Sequence, residues 1–260
     1  MSYNPHIESA IQNGYDFKIG DYFNNGLEIF KKNPGGYLGY VVVFFLISMV
    51  TGLIPILGTL IGIVINPPLL VGFAIAAHKQ EKSGSEEFGN FFKGFDHIAQ
   101  LLVANIIMWL IYIVLTIPLV FIVGFSVIMA FATGDVDTIM ESTSQIASMG
   151  LGFLIMFIVF TYVAVSLRWT NYLIVFHKYD AVEAIKTSWK LVNKNWFMHL
   201  AFGALAFLAL LGGMIALIIG IIFVFPIVAI ADYAGFADIT GLNKKDDIID
   251  EIGSFKDELV

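Results

Sequence analysis

The sequence predicts an all-α, polytopic membrane protein: about six transmembrane helices as three hairpins, each preceded by an interfacial amphipathic helix. Three observations carry this prediction. Of 260 residues, 58% are hydrophobic and only 13% are charged, about half the charge of an ordinary soluble domain. The apolar residues run in stretches longer than about 18, the length of a membrane span. All 14 Lys and Arg residues fall in or beside four polar stretches, and the three connections between those stretches carry none.

Residues 1–36 read as a polar N-terminal tail that includes an amphipathic helix over 21–33, DYFNNGLEIFKKN. Residues 1–18 lack a basic segment followed by an apolar core, so no cleavable signal peptide is expected. Residues 37–235 read as the six-span domain and 236–260 as an acidic tail. The first span covers 37–54 and turns tightly at 55–58. The second reaches Ala77 and contains Asn66-Pro67-Pro68. Two prolines remove two backbone donors, which predicts a kinked or unwound helix there.

Phe88, Phe91, Phe92 and Phe95 share one helical face, so 88–97 predicts a second interfacial helix, with Ser83 and Glu86 as its capping box. A long span follows over 98–132, with Pro118 inside. Residues 133–149 are polar and read as an outer connection; 150–176 read as the fourth span. Residues 197–233 hold two spans hinged near Gly212-Gly213.

Between the fourth and fifth spans lies a polar elbow, HKYDAVEAIKTSWKLVNKNW, over 177–196. Val182, Ile185, Trp189, Val192 and Trp196 recur at steps of three and four, which places them on one helical face. Asp180 and Glu183 form a capping-box-like start. Such a helix lies flat in the membrane interface, apolar face down. Lys186, Lys190 and Lys194 repeat every four residues on the polar face. Their mutual repulsion is offset by anionic headgroups, so these lysines, with Trp189 and Trp196 as anchors, are candidate lipid contacts.

The basic residues lie in the N-tail, 78–97, 168–196 and the C-tail. The positive-inside rule then puts both termini and all elbows on the cytoplasmic side of the inner membrane. The first and last hairpins resemble each other. Aligning Lys32-Asn33 on Lys194-Asn195 pairs Phe23 with Ile185 and Leu27 with Trp189; with a gap of four, Gly62 meets Gly220 and Pro68 meets Pro226. The expected repeats are parallel, because each hairpin starts and ends inside.

A resemblance follows from these residues. Arg168-Trp169, Asp180, Ala184-Ile185-Lys186-Thr187-Ser188-Trp189 and Lys194-Asn195-Trp196 together resemble a pattern shared by a broad set of uncharacterised bacterial membrane proteins. The set includes the DUF975, DUF4013 and YciC-like groups and the membrane domain attached to some glycerophosphodiester phosphodiesterases. The first hairpin fits too, through Lys32-Asn33 and its Gly/Pro span. In such proteins the phosphodiesterase is a separate soluble domain, so the resemblance implies no activity here. It implies a cytoplasmic-membrane protein with an envelope or lipid-related role.

Candidate sites are few. Arg168 is the only arginine, about nine residues inside the span end at His177, and an ionisable residue within a span is a functional-site hypothesis. Asp232 is its expected partner; Asn66 and Asn105 are the polar alternatives. Asp135-Val136-Asp137 lacks the remaining ligands of a Ca²⁺ loop. His78, His97, His177 and His199 have no metal-ligand spacing. KDEL at 256–259 is followed by Val260 and is no terminal retention signal. Ile248, Ile252, Phe255 and Leu259 share one face in the tail. Cys is absent, as are Walker and GxSxG motifs, and the basic residues are too few and too interleaved with acids for nucleic acid. The expectations are therefore no catalysis, no cofactor and no metal, and membrane lipids or another membrane protein as partners. The expected role is structural or lipid-related, with a transporter built around a cavity near Arg168 and Asn66 as the alternative.

Overall fold

Backbone in hydrocarbon has no water to bond, and a helix is the structure that satisfies it within one segment. The chain adopts helix throughout the computed structural model, which describes residues 4–54, 57–84, 87–133, 136–215 and 219–243. The elements are α1 (Pro5–Asn13), α2 (Ile19–Lys32), α3 (Pro34–Gly52), α4 (Leu57–Ser83), a 3-10 helix (Phe88–His97), α5 (Ile98–Thr133), α6 (Val136–Leu167), α7 (Thr170–His177), α8 (Ala181–Asn193), α9 (Trp196–Ile215) and α10 (Ile219–Thr240). No strand occurs among the described residues. Six helical stretches are long and apolar enough to cross a membrane, the first Pro34–Gly52 and the last Gly220–Thr240. Met49, Val114, Phe157 and Phe207 are among the large apolar side chains left exposed along them, the surface that lipid rather than water accepts. The protein is a multi-pass membrane protein.

The chain divides into two compact units, Met1–Ala104 with Ser166–Val260, and Asn105–Val165. In the second unit Tyr112 stacks on Phe160 with ring centroids 5.3 Å apart. The first unit has two aromatic cores. Tyr37, Tyr40, Phe73 and Phe91 are fully buried where α3, α4 and the 3-10 helix meet. The two hydroxyls there are satisfied: Tyr37 donates to Gln80 Oε1 at 2.9 Å and Tyr40 to the Leu69 carbonyl at 2.8 Å. Gly72 and Gly94 let the backbones touch; a Cβ on Gly94 would strike the Pro68 carbonyl, and one on Gly72 the Phe91 carbonyl. The second core gathers Phe17, Trp169, His199, Phe202 and Phe236.

Several expectations are corrected. The N-terminal tail holds a further helix ahead of the expected one: α1 starts at Pro5, with Asn4 accepting from the backbone N–H groups of His6 and Ile7, and the Asn-Pro pair is a helix-start signal in its own right. Helix α2 does not only lie on an interface. It packs on α10, with Gly26 so close that a Cβ would sit 2.7 Å from the Ile227 carbonyl. Helix α4 runs continuously through Pro67 and Pro68 and is not unwound there; the packed 3-10 helix and Tyr40 support that turn. Residues 88–97 form a 3-10 rather than an α-helix, so Phe91 and Gly94, three apart, point inward together. Ser83 ends α4 and donates to the Lys79 carbonyl, while Glu86 lies outside the described residues.

The polar segment after α5 is helical from Val136 and forms the start of α6. No Gly or Pro interrupts residues 136–149. The fourth span is one long apolar stretch, Gly152–His177, with a two-residue turn at Arg168-Trp169 between α6 and α7. Gly212 and Gly213 are no hinge, for they lie inside α9. Gly213 instead faces Gly220 of α10, each leaving no room for a Cβ on the other, which is close helix packing through small residues. Helix α10 passes the expected end of the last span and stops at Thr240. The apolar face proposed for the tail lies outside the described residues.

Candidate functional site

The break at Arg168-Trp169 organises the site. Interrupting a helix frees backbone groups, and buried ones must find partners. Ser188 of α8, fully buried, supplies them: its Oγ accepts from the Trp169 N–H at 3.3 Å and donates to the Ser166 carbonyl at 3.0 Å. Asn193, a turn and a half further along α8, donates to Ser166 Oγ at 3.1 Å. Ala181, Ala184, Ser188, Leu191 and Val192 form the buried face of α8. Small residues at its centre bring the helix onto the break.

The elbow therefore has two usable faces. Asp180 caps α8, its Oδ1 accepting from the Glu183 N–H at 2.9 Å. Val182 and Trp189 are exposed, and Lys186, Lys190 and Lys194 stand on the polar side. Val192, expected on the outward face, is buried with the small residues. Trp196 does not belong to α8; it opens α9 and packs edge-on against Phe197.

With the helix broken, Arg168 and Trp169 both turn toward α10. Arg168 Nη2 donates to Asp232 Oδ1 at 2.5 Å and Nη1 to the His199 carbonyl at 3.2 Å. The guanidinium also lies 4.6 Å over the Phe202 ring, a cation–π contact. Trp169, fully buried, donates its indole N–H to the same Asp232 oxygen at 3.0 Å. The paired side chains are only 15% and 22% exposed. His199 is fully buried beside them, its Nε2 2.7 Å from the Tyr15 hydroxyl, which in turn donates to the Leu191 carbonyl at 2.9 Å. Since the hydroxyl has one proton, His199 donates from Nε2, and its Nδ1 has no partner among the described residues. Burial pushes the Tyr15 phenol above its ordinary value, against a smaller opposing pull from Arg168.

A cleft of about 290 Å³ opens beside the ion pair. Arg168, Asp232 and Asn171 form its polar end; Leu70, Phe202 and Phe225 are part of its apolar body. Asn66 is not among its lining residues, and Asn105 belongs to the other unit. The structure thus brings Arg168 and Asp232 together. No group of three metal-binding side chains occurs among the described residues. Sequence reasoning missed Tyr15, Ser188 and His199. The readable signal for Ser188 was the small-residue stripe Ala181, Ala184, Ser188; nothing local marked Tyr15 or His199.

No family model, curated protein or solved structure matches the chain.

Proposed function

We propose that this chain is a non-catalytic multi-pass protein of the cytoplasmic membrane, with a structural or lipid-related role in the envelope and both termini inside. The observation that carries the reading is the self-sufficiency of the central pair. The Arg168 guanidinium divides itself among Asp232, the His199 carbonyl and the Phe202 ring, and Trp169 takes a further lone pair of Asp232. A charge pair committed in this way locks helices and does not await a substrate. The one-sided placement of the 14 basic residues supports the orientation. The exposed Val182–Trp189 face beside Lys186 and Lys190 supports an interfacial elbow touching lipid headgroups. The resemblance carried by Arg168-Trp169 and the α8 motif supports the envelope role, and the Lys-Asn junctions at 32–33 and 194–195 support a repeated hairpin.

A second reading, a transporter or lipid-handling protein, is favoured by the cleft at the ion pair. Liposomes holding the purified protein separate the two. The scaffold reading expects no saturable uptake of solutes or lipids; uptake abolished by Arg168→Ala would replace it with the transporter. Turnover of a phospholipid would defeat both. Single cysteines at Ser144 and Ser254, labelled in intact cells with an impermeant reagent, test the orientation: only the first is expected to react.

A further inference from the structure

A second cleft, of about 530 Å³, lies where the C-terminal ends of α4 and α7 meet the end of the 3-10 helix. Its wall carries Lys79, Lys82, Lys93 and Lys178, and Asp96 is the one carboxylate among the lining residues. Ile75, Val175 and Phe176 contribute an apolar floor. Four ammonium groups around one carboxylate leave the wall strongly cationic.

What holds these ammonium groups is informative. Lys178 Nζ donates to the Val175 carbonyl at 2.8 Å and lies 3.2 Å from His97 Nε2. Lys79 Nζ donates to the Asn90 amide oxygen at 2.5 Å. Carbonyl, amide and imidazole are neutral acceptors, so they orient the two cations without cancelling their charge. Lys93 lies 3.7 Å from Asp96, and both of those side chains are more than half exposed, where screening makes the pair weak. Lys178 is also the one non-glycine residue with a left-handed backbone among the described residues, φ +60°. That conformation is disfavoured for a side chain, and here it ends α7 with the ammonium turned back onto Val175. Partial burial holds the Lys178 pKa below the ordinary lysine value, more than Asp96 restores; a bound anion would reverse this.

We propose that this cleft binds a phosphate monoester, its oxygens received by Lys79 and Lys178. A doubly charged phosphate matches two ammonium groups held by neutral acceptors better than a singly charged diester, and the apolar floor accepts the carbon skeleton attached to it. The group could belong to a lipid headgroup or to a soluble compound. The proposal does not rest on the non-catalytic reading, since a scaffold, a transporter or an enzyme can carry such a site.

The test uses the full chain purified in dodecyl maltoside. Two probes separate the sources: phosphatidic acid, with phosphatidylglycerol as its diester control, read by lipid retention in native mass spectrometry; and inorganic phosphate, read by binding titration in lipid-free micelles. For at least one probe, Lys79→Gln with Lys178→Gln is expected to weaken binding on the order of tenfold, at the known worth of a basic residue near an anionic headgroup. Lys31→Gln with Lys32→Gln, which removes the same charge from the end of α2, outside the cleft, is expected to change it less than about twofold on that basis. Asp96→Asn removes the opposing carboxylate and is expected to strengthen binding; as a gain, it decides the matter even where the lysine variants fold poorly. A lipid source gives retention of phosphatidic acid over phosphatidylglycerol with no binding of inorganic phosphate; a soluble source gives the phosphate titration. Equal losses in the two lysine pairs, equal retention of both lipids with no phosphate binding, or unchanged binding in Asp96→Asn overturns the proposal.

Discussion

Asp232→Asn and Arg168→Gln, made singly and together, test whether the central pair acts as one unit. Removing one member of a buried ion pair costs about 3–5 kcal/mol, because the other charge is left without water or partner. Two features of the site reduce that figure. The side chains retain 15% and 22% exposure, so the orphaned charge is partly hydrated. Arg168 also keeps the His199 carbonyl at 3.2 Å and the Phe202 face at 4.6 Å, while Asp232 keeps the Trp169 indole at 3.0 Å. Each such contact is worth about 1 kcal/mol, leaving roughly 2–3 kcal/mol for either single change. The double variant removes both charges, so its loss is expected to be about that of one single variant, a coupling of roughly 2 kcal/mol. In detergent this is a fall of about 4–12 °C in Tm for each variant. Raising salt is expected to leave the difference nearly unchanged, since a buried pair is little screened. Losses that add to within about 0.5 kcal/mol would refute the locked pair and show two independent interfacial residues.

Four further outcomes are expected. Ser188→Ala strands the Trp169 N–H and the Ser166 carbonyl, a loss of about 2–4 kcal/mol, whereas exposed Lys190→Ala costs little; equal effects in detergent unfolding would count against the role given to Ser188. Gly26→Leu drives a side chain into the Ile227 carbonyl and Ala231 of α10 and is expected to release α2, read as new protease sensitivity around Ile19–Lys32; unchanged digestion would contradict the packing. Burial raises the Tyr15 pKa above 10.0 in the folded protein, so the folded state holds its proton more tightly than the unfolded chain. Stability is then full below pH 10 and falls as pH rises toward the folded value; Tyr15→Phe should flatten that alkaline slope, and an unaltered slope would remove Tyr15 as its source. Finally, a variant keeping Trp189 alone should be quenched most by shallow brominated lipid, and quenching strongest from the bilayer centre would place the exposed face of α8 elsewhere.

The helices were legible because membrane spans announce themselves by length and apolarity, and the six-span architecture follows from little else. Boundaries set by tertiary contacts were not legible. No Gly or Pro marks Arg168-Trp169; the helix breaks there because Ser188, Asp232 and His199, all remote in sequence, offer more than the lost backbone bonds. The 3-10 form of 88–97 likewise depends on Pro68 and Val71 meeting Gly94. Asp232 could be picked as the partner of Arg168 because few charges lie within spans and these two share a depth. His199 could not, since one histidine at a span end looks like any other. The α8 stripe illustrates a misplaced emphasis: the bulky residues drew attention outward, while Ala184 and Ser188 were the ones that bind the protein together.

The N-terminal segment has a consequence for the order of events during synthesis. Its partners are made much later: Asn4 donates to the Thr240 carbonyl, Tyr15 to the Leu191 carbonyl, Tyr22 to Asp238 Oδ2, and Gly26 nests against Ala231. A ribosome adding about 5–20 residues per second reaches those positions some 10–50 s after the first residues emerge. Through that interval Phe17 and Tyr22, both buried in the finished protein, wait for the α10 surface that covers them. The segment is therefore a clasp made well before the surface it closes on, and the bilayer is its waiting place.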